Sequence, residues 1–583
     1  VAGPADRKQR KNVQRSERIR LLNFPAKFPA NWRWLLALLL VFLAGLYVYL
    51  MRPEVAGLLY DDGIYLMAAK ALAHGQGYRL TGIEGQPFLY KYPPLYPLCL
   101  AGLWLLNPSF PANLAWLKGF NIVLSLATLA LLAWHYRRNL RLSPWLSLAL
   151  VACLGLSWRF TDLSIELMSE PLYLLLSTGA LLLAHHLAQR AERDSTPLSG
   201  RALLLLITLS VASFYTRSVG IVLILALGLW LWLSRERKQS AVFLAACGLS
   251  IAPWFWWSAQ RPSNITSVGH FLVRSFQETY FQSFVMDLKT EYNLGELYSR
   301  GLQELLGNFS VQFFPWLEWF FRHKPTLLSE SLILGLSFGL ILALGRFAYR
   351  AMQEKRISPS GLYIGLYLLI LPFWSFFKIY PRFILMILPF LLPYAVFIPQ
   401  QFAWPDRAKK VTVWGFLSLV CASNIVHLWP HLEKPVPNTL VISPFHDVWH
   451  DYQAVFSYLR QHTPPKAVLY TDSADESYLY SLYTDRSTLD FFIQYPGNLL
   501  EKACGTNARD CLEALQQMRT EALAGVLRQK QTQYIVYNRF GTANTPANRW
   551  TIPYLLQAHP GLLAPVMQTP DGWIIVYRLQ PKG

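Results

Sequence analysis

The stretch WLLALLLVFLAGLYVYL, Trp34 to Leu50, decides how the rest of this chain is read. It carries no charged side chain, and as a helix it rises about 25 Å, close to the roughly 30 Å hydrocarbon layer of a bilayer. Nine basic residues precede it: Arg7, Lys8, Arg10, Lys11, Arg15, Arg18, Arg20, Lys27 and Arg33. A basic tail of that length, with no small-x-small exit site after the apolar core, predicts a retained signal-anchor helix rather than a cleaved signal peptide. The N-terminus is then cytoplasmic.

The whole chain extends the pattern. Of 583 residues, 53% are hydrophobic and only 15% charged, with a mean hydropathy of +0.25. Soluble domains carry about 25% charged residues, so composition alone assigns this chain to membranes. The net charge of +19 invites a nucleic-acid reading, but its distribution argues against one. From His431 onward 13 basic residues balance 13 acidic ones, and the excess lies between apolar runs rather than on a soluble face. No nucleic-acid partner is expected; the lipid bilayer is.

Eleven spans are predicted, near 32–50, 114–136, 143–160, 170–188, 201–216, 218–234, 240–257, 327–345, 360–377, 383–400 and 411–430. Leu95–Leu106 is too short and proline-bounded, and reads as an interfacial or re-entrant helix. The junctions after every second span are basic: Arg137/Arg138/Arg141, Arg190/Arg193/Arg201, Arg235/Arg237/Lys238, Arg346/Arg350/Lys355/Arg356 and Arg407/Lys409/Lys410. Short basic loops face the cytoplasm. The expected architecture is therefore an α-helical polytopic membrane protein, N-terminus in and C-terminus out. A basic tail (1–31) leads into a membrane domain (32–430), with outer loops 51–113 and 258–325.

The segment 431–583 reads as a soluble extracytoplasmic α/β domain. Lys466–Asp472, Gln533–Arg539 and Trp573–Leu579 are β-branched and aromatic runs bounded by turn residues. Asp447–His462 and Arg509–Arg528 have helical spacing. Cys99, Cys153, Cys247 and Cys421 fall in apolar segments as small hydrophobes. Cys504 and Cys511 are expected to form a disulfide in an oxidising compartment. No Cys or His pair at metal spacing accompanies them.

The topology gathers unusual polar residues on the outer side. Asp61 and Asp62 follow the first span, Lys91 precedes a Pro-Pro segment, and Glu166 and Glu170 sit where the fourth span enters. Arg217 lies at the outer turn between spans five and six, and Lys378 and Arg382 flank the entry to span ten. A carboxylate can take a proton from an acceptor hydroxyl. Arginine and lysine can hold a phosphate leaving group. Each residue also has a plainer role: cations at span ends snorkel, Glu166 can be solvated, and Asp62 can cap the helix starting near Gly63.

Asp61-Asp62-Gly63-Ile64-Tyr65, the helix through Ala68–Gly75 and Lys91-Tyr92-Pro93-Pro94-Leu95-Tyr96-Pro97 together resemble a family. It is the bacterial dolichyl-phosphate-mannose-mannosyltransferase-like group of C-type, polyprenyl-phosphate-sugar-dependent glycosyltransferases, which includes the lipid A aminoarabinose transferases. Ser169-Glu170-Pro171-Leu172-Tyr173, Thr216–Gly220 and Tyr380–Leu385 through Pro389 resemble further segments of that family. The resemblance covers roughly residues 30–400. It implies that Asp61 is the catalytic base or acceptor-orienting carboxylate. It implies donor-phosphate contacts at Lys91 and Arg382, to which Arg217 is added by position, and an acceptor or sugar pocket at Glu170 beside Asp62. Two departures stand out: the acidic pair is Asp-Asp rather than Asp-Glu, and Tyr92 is inserted before the prolines, which is expected to change the direction of Lys91.

The expected function is transfer of a sugar from a polyprenyl-phosphate-linked donor to a lipid, glycan or protein acceptor at the outer face of the cell inner membrane. Asp61-Asp62 lacks Asp-x-Asp spacing, so no cofactor is expected and a divalent metal is not favoured. A lipid-linked glycan transporter or flippase predicts midplane charges and two related halves. An inactive scaffold with a partner-binding outer domain is the remaining alternative.

Overall fold

The computed structural model describes residues 31–59, 61–194, 198–234, 236–260, 358–374, 381–433, 449–471, 474–489, 523–529, 531–539 and 551–580, with short stretches between. The chain is largely helical. In order come α1 (Trp32–Leu50), α2 (Asp61–Ala73), α3 (Leu95–Leu106), α4 (Leu114–Arg138), α5 (Pro144–Gly155) and α6 (Trp158–Ile165). They are followed by α7 (Glu170–Asp194), α8 (Gly200–Thr216), α9 (Gly220–Leu233), α10 (Arg237–Ala259) and α11 (Pro359–Ile370). Then come α12 (Pro381–Leu385), α13 (Leu388–Phe397), α14 (Asp406–Glu433) and α15 (Trp449–His462). The remainder is β1 (Val468–Thr471), α16 (Ala474–Thr484), β2 (Ser487–Leu489), β3 (Tyr534–Asn538), α17 (Thr551–Ala558), β4 (Leu563–Gln568) and β5 (Ile574–Leu579).

Five described helices are long and apolar enough to cross a membrane, and six if α5 and α6 count as one broken span. The protein is a multi-pass membrane protein. Around α1 the large side chains Trp34, Leu38, Val41, Phe42 and Val48 are exposed, while Leu43, Tyr47 and Leu50 face inward. Lipid, not water, suits that surface.

Several expected spans take a different form. The run 143–160 bends by 62° between α5 and α6. Gly155 closes α5, where a Cβ would stand 2.5 Å from Leu43 Cδ1. At the break the Gly155 carbonyl accepts from Tyr47 (2.6 Å) and Thr161 (3.3 Å), so the interrupted ladder keeps its partners. The run 383–400 is split into α12, α13 and a 3₁₀ turn, with Pro393 inside α13. α11 passes into a 3₁₀ turn at Leu371–Trp374. The expected span 327–345 lies outside the described residues, apart from single positions, and the loop 258–325 and Lys378 do so largely or wholly. Leu95–Leu106 forms the short helix expected of it.

The C-terminal segment contains a five-stranded sheet of order β2-β1-β3-β5-β4. β1 is parallel to both β2 and β3; β5 runs antiparallel to β3 and to β4. The three runs assigned as strands from sequence are β1, β3 and β5, and α15 matches the expected helix. β2 and β4 were not expected. Side chains alternate between faces. Leu469, Val536, Ile574 and Val576 enter one core, and Tyr470, Ile535, Ile575 and Tyr577 another. Cys504 and Cys511 lie outside the described residues.

The first of those cores is shared with the loop 51–113. Ile64, Tyr65, Met67 and Tyr96 pack in one cluster with Trp449, Phe456, Tyr478 and Tyr480. The loop also extends the sheet: Ile83 bridges Thr488 in parallel, with Glu84 N donating to Thr488 O (2.8 Å) and Thr488 N to Gly82 O (2.9 Å). Among the described residues this covers an otherwise open edge at β2. Close approach depends on glycine. A Cβ on Gly63 would lie 2.6 Å from Tyr478 Cβ, and Gly57, at φ +89°, sits against the Leu479 backbone.

Candidate active site

α2 begins where the chain leaves the first span and turns sharply. Asp62 makes that turn. Its Oδ2 accepts from Gly57 N (2.6 Å), and Oδ1 accepts from Leu59 N (2.9 Å) and Gly63 N (2.8 Å). Burial pushes its carboxyl up, and these backbone bonds oppose the shift. Asp62 thus acts on the loop backbone.

Asp61 points the other way. Its Oδ2 pairs with Arg382 Nη2 at 2.9 Å, and Oδ1 accepts from the Tyr92 hydroxyl at 2.7 Å. Burial alone would raise its carboxyl. The charges of Arg382 and Lys91, the Tyr92 bond and the charge of Arg217 outweigh that and hold it below the ordinary carboxylate value. Tyr92, the inserted residue, is therefore a direct partner of the expected catalytic carboxylate. Lys91 is buried, with its ammonium 4.9 Å from the Tyr92 ring centroid.

Arg382 links Asp61 to the second carboxylate, its Nη1 standing 3.8 Å from Glu170 Oε1. Arg217 Nη1 lies 2.7 Å from the same oxygen and donates to Ser169 Oγ at 3.0 Å. Glu170 is fully buried, yet neither oxygen accepts an aligned hydrogen bond from the described residues. Its contacts are ion pairs, and lone pairs are left over. Of the eight polar residues singled out from sequence, Asp61, Lys91, Glu170, Arg217 and Arg382 meet in one ionic cluster. Asp62 turns to the loop backbone, Glu166 pairs elsewhere and Lys378 lies outside the described residues. Arg382 and Arg217 have 25% and 15% of their side chains exposed, against 9% and 0% for Asp61 and Glu170, so the arginines stand nearer the approach.

Helix termini position these groups. Arg217 is the C-cap of α8, Arg382 follows Pro381 in α12, and Glu170 opens α7. The carbonyl of Phe383 accepts from Tyr367 (2.8 Å), tying α12 to α11. Tyr65 stacks edge-on against Tyr92 and Tyr96, with centroids 5.5 and 5.1 Å away, and its hydroxyl reaches Ser169 Oγ at 3.1 Å.

One pair beneath the cluster escaped the sequence analysis. Lys118 on α4 is fully buried and meets Glu166 Oε2 at 2.8 Å. Glu166 is thus buried and paired, not solvated. Burial, offset by Lys118, pushes it up to about 7. Asn121 Nδ2 donates to the carbonyls of Glu166 (2.6 Å) and Met168 (2.9 Å), and Tyr96 donates to Asn121 Oδ1 (3.1 Å). Together they fix the turn that presents Ser169 and Glu170. The signal was available: Lys118, Asn121, Ser125 and Thr128 recur on one face of an apolar helix and are all buried. Among the described residues no group of three His, Cys, Asp or Glu side chains is placed to hold a metal ion.

No family model and no curated protein matches this chain. Solved structures do. ArnT from Cupriavidus metallidurans in the apo state is similar at a TM-score of 0.49 and 13% identity, over 94% of this chain and 99% of that one. The Archaeoglobus fulgidus oligosaccharyltransferase in the apo form gives 0.46 and 11%, over 94% and 74%. The arabinofuranosyltransferase AftD from Mycobacteria gives 0.44 and 12%, over 95% and 40%.

Proposed function

We propose that this protein is an integral-membrane glycosyltransferase that moves a sugar from a polyprenyl-phosphate-linked donor to an acceptor at the outer face of the inner membrane. The observation that carries the proposal is the cluster of Asp61, Lys91, Arg382, Glu170 and Arg217 at one end of the apolar helices. A lipid-borne phosphate arrives at that depth with its sugar toward the soluble domain.

The resting arrangement suggests how binding and chemistry are coupled. A donor phosphate competes with Asp61 for Arg382 and Lys91. Once those cations turn to the phosphate, Asp61 loses the charges that depress it and becomes a better base for an acceptor hydroxyl. The acceptor oxygen attacks the anomeric carbon, the bond to the phosphate oxygen breaks, and the arginines take up the charge on the departing polyprenyl phosphate. The lone pairs of Glu170 suit sugar or acceptor hydroxyls as donors. Asp62 holds the loop that aims Asp61.

Turnover of candidate polyprenyl-phosphate sugars by the purified protein tests the proposal. Release of polyprenyl phosphate that disappears in Asp61→Asn supports it. Absence of turnover across pentose and hexose donors, with well-folded protein, argues for a transporter or scaffold instead.

A further inference from the structure

A second charged site lies at the opposite end of the membrane domain. A cavity of about 660 Å³ is lined by Trp32, Arg33, Leu36, Ala130, Trp134, Arg137, Arg138 and Arg141. Four arginines converge on it, and no acidic side chain among the described residues lines it. Like charges held together are unfavourable unless something neutralises them. Trp32 and Arg33 open α1 and Arg137 and Arg138 close α4, so the cavity and the Asp61 cluster lie at opposite ends of these spanning helices.

Local structure commits these arginines to the cavity. The Arg137 guanidinium lies 5.6 Å from the Trp32 ring centroid and donates to the Leu142 carbonyl. Its Nε has no hydrogen-bond partner among the described residues. Arg141 is held at φ +54°, a left-handed conformation that a non-glycine residue rarely adopts, while its neighbour Leu142 is buried. Such strain persists where surrounding structure fixes it, and is a recurrent mark of ligand sites.

We infer that this cavity binds the phosphate of an anionic membrane lipid. Arginine forks match phosphate oxygens. The flanking surface selects a lipid source over a free anion. Trp134, which lines the cavity, is itself 42% exposed. α1, whose first turn lines the cavity, exposes Trp34, Leu38, Val41 and Phe42 at 58–70% on its other face, so the site sits at the end of a lipid-facing helix. Trp32 and Trp134 supply the amphipathic rings found at headgroup level. Basic pockets between helices on the cytoplasmic side are suited to such headgroups.

The test uses the full-length protein purified in detergent and its melting temperature. Phosphatidylglycerol should raise it by about 2–4 °C, and phosphatidylcholine should not. Arg138→Gln with Arg141→Gln should abolish the rise without altering sugar transfer at the distant cluster. Equal stabilisation by both lipids, or an undiminished rise in the double variant, overturns the inference. An equal rise from inorganic phosphate alone overturns the lipid source. Should the double variant not purify, each single variant decides: a full rise retained in both is a negative result.

Discussion

At the residue scale the two adjacent aspartates divide their labour by direction. Asp62 satisfies three backbone N–H groups, whereas Asp61 faces cations and a phenol. Asp61→Asn should lower turnover by on the order of 10²–10⁴-fold with folding intact, measured as released polyprenyl phosphate; near-normal transfer would move the base elsewhere. Because the folded Asp61 is held low, its ion pair contributes stability above the unfolded carboxylate value and loses it as pH falls through the folded one. Tyr92→Phe removes a bond that favours the carboxylate. The acid limb of the turnover profile should therefore shift to higher pH, and an unmoved limb would leave Tyr92 as packing alone. Lys118→Met strands a buried Glu166 and should destabilise by about 3–5 kcal/mol, whereas adding Glu166→Gln should recover much of the loss in thermal unfolding.

At the element scale the decisive contact is α16 against the start of α2. Gly63 allows Tyr478 to approach, and Lys70 on α2 meets Asp485 just past α16 at 2.5 Å. The C-terminal sheet thus braces the helix that carries Asp61. Gly63→Ala forces the Tyr478 side chain or the helix to shift. Overpacking of this kind is typically destabilising by about 1–3 kcal/mol. Reduced turnover together with increased protease cleavage between the membrane and C-terminal segments is the expected outcome. The surface pair Lys70–Asp485 should matter little, since exposed ion pairs contribute about 0–1 kcal/mol.

At the scale of the whole molecule, a shared core places the loop 51–113 and the C-terminal sheet on the same side of the membrane. The chain from the start of α4 to α15 must then cross the bilayer an even number of times, a parity met by the ten spans expected there, α4 included. Single cysteines introduced at exposed Glu521 and Gln76 should both react with an impermeant reagent in intact spheroplasts. Labelling of one without the other would break the shared-side topology.

The apolar runs, the basic junctions and the odd carboxylates were legible in the sequence because hydropathy and charge act locally, residue by residue. So were β1, β3 and β5, whose alternation survives in short windows. Tertiary structure alone decided the rest. Tyr92 looked like an intrusion that would turn Lys91 aside, yet it donates to Asp61 across 31 positions of chain. Lys118 and Glu166 stand 48 positions apart, and neither announces the other. The break at Gly155 follows from how closely Leu43 packs, and the short strand β2 is completed by a loop some 400 positions earlier. Each of these depends on which distant groups share a low-dielectric interior, where an unpaired charge or N–H is costly. Local sequence dictates which groups need partners; only the folded chain decides which partners they meet.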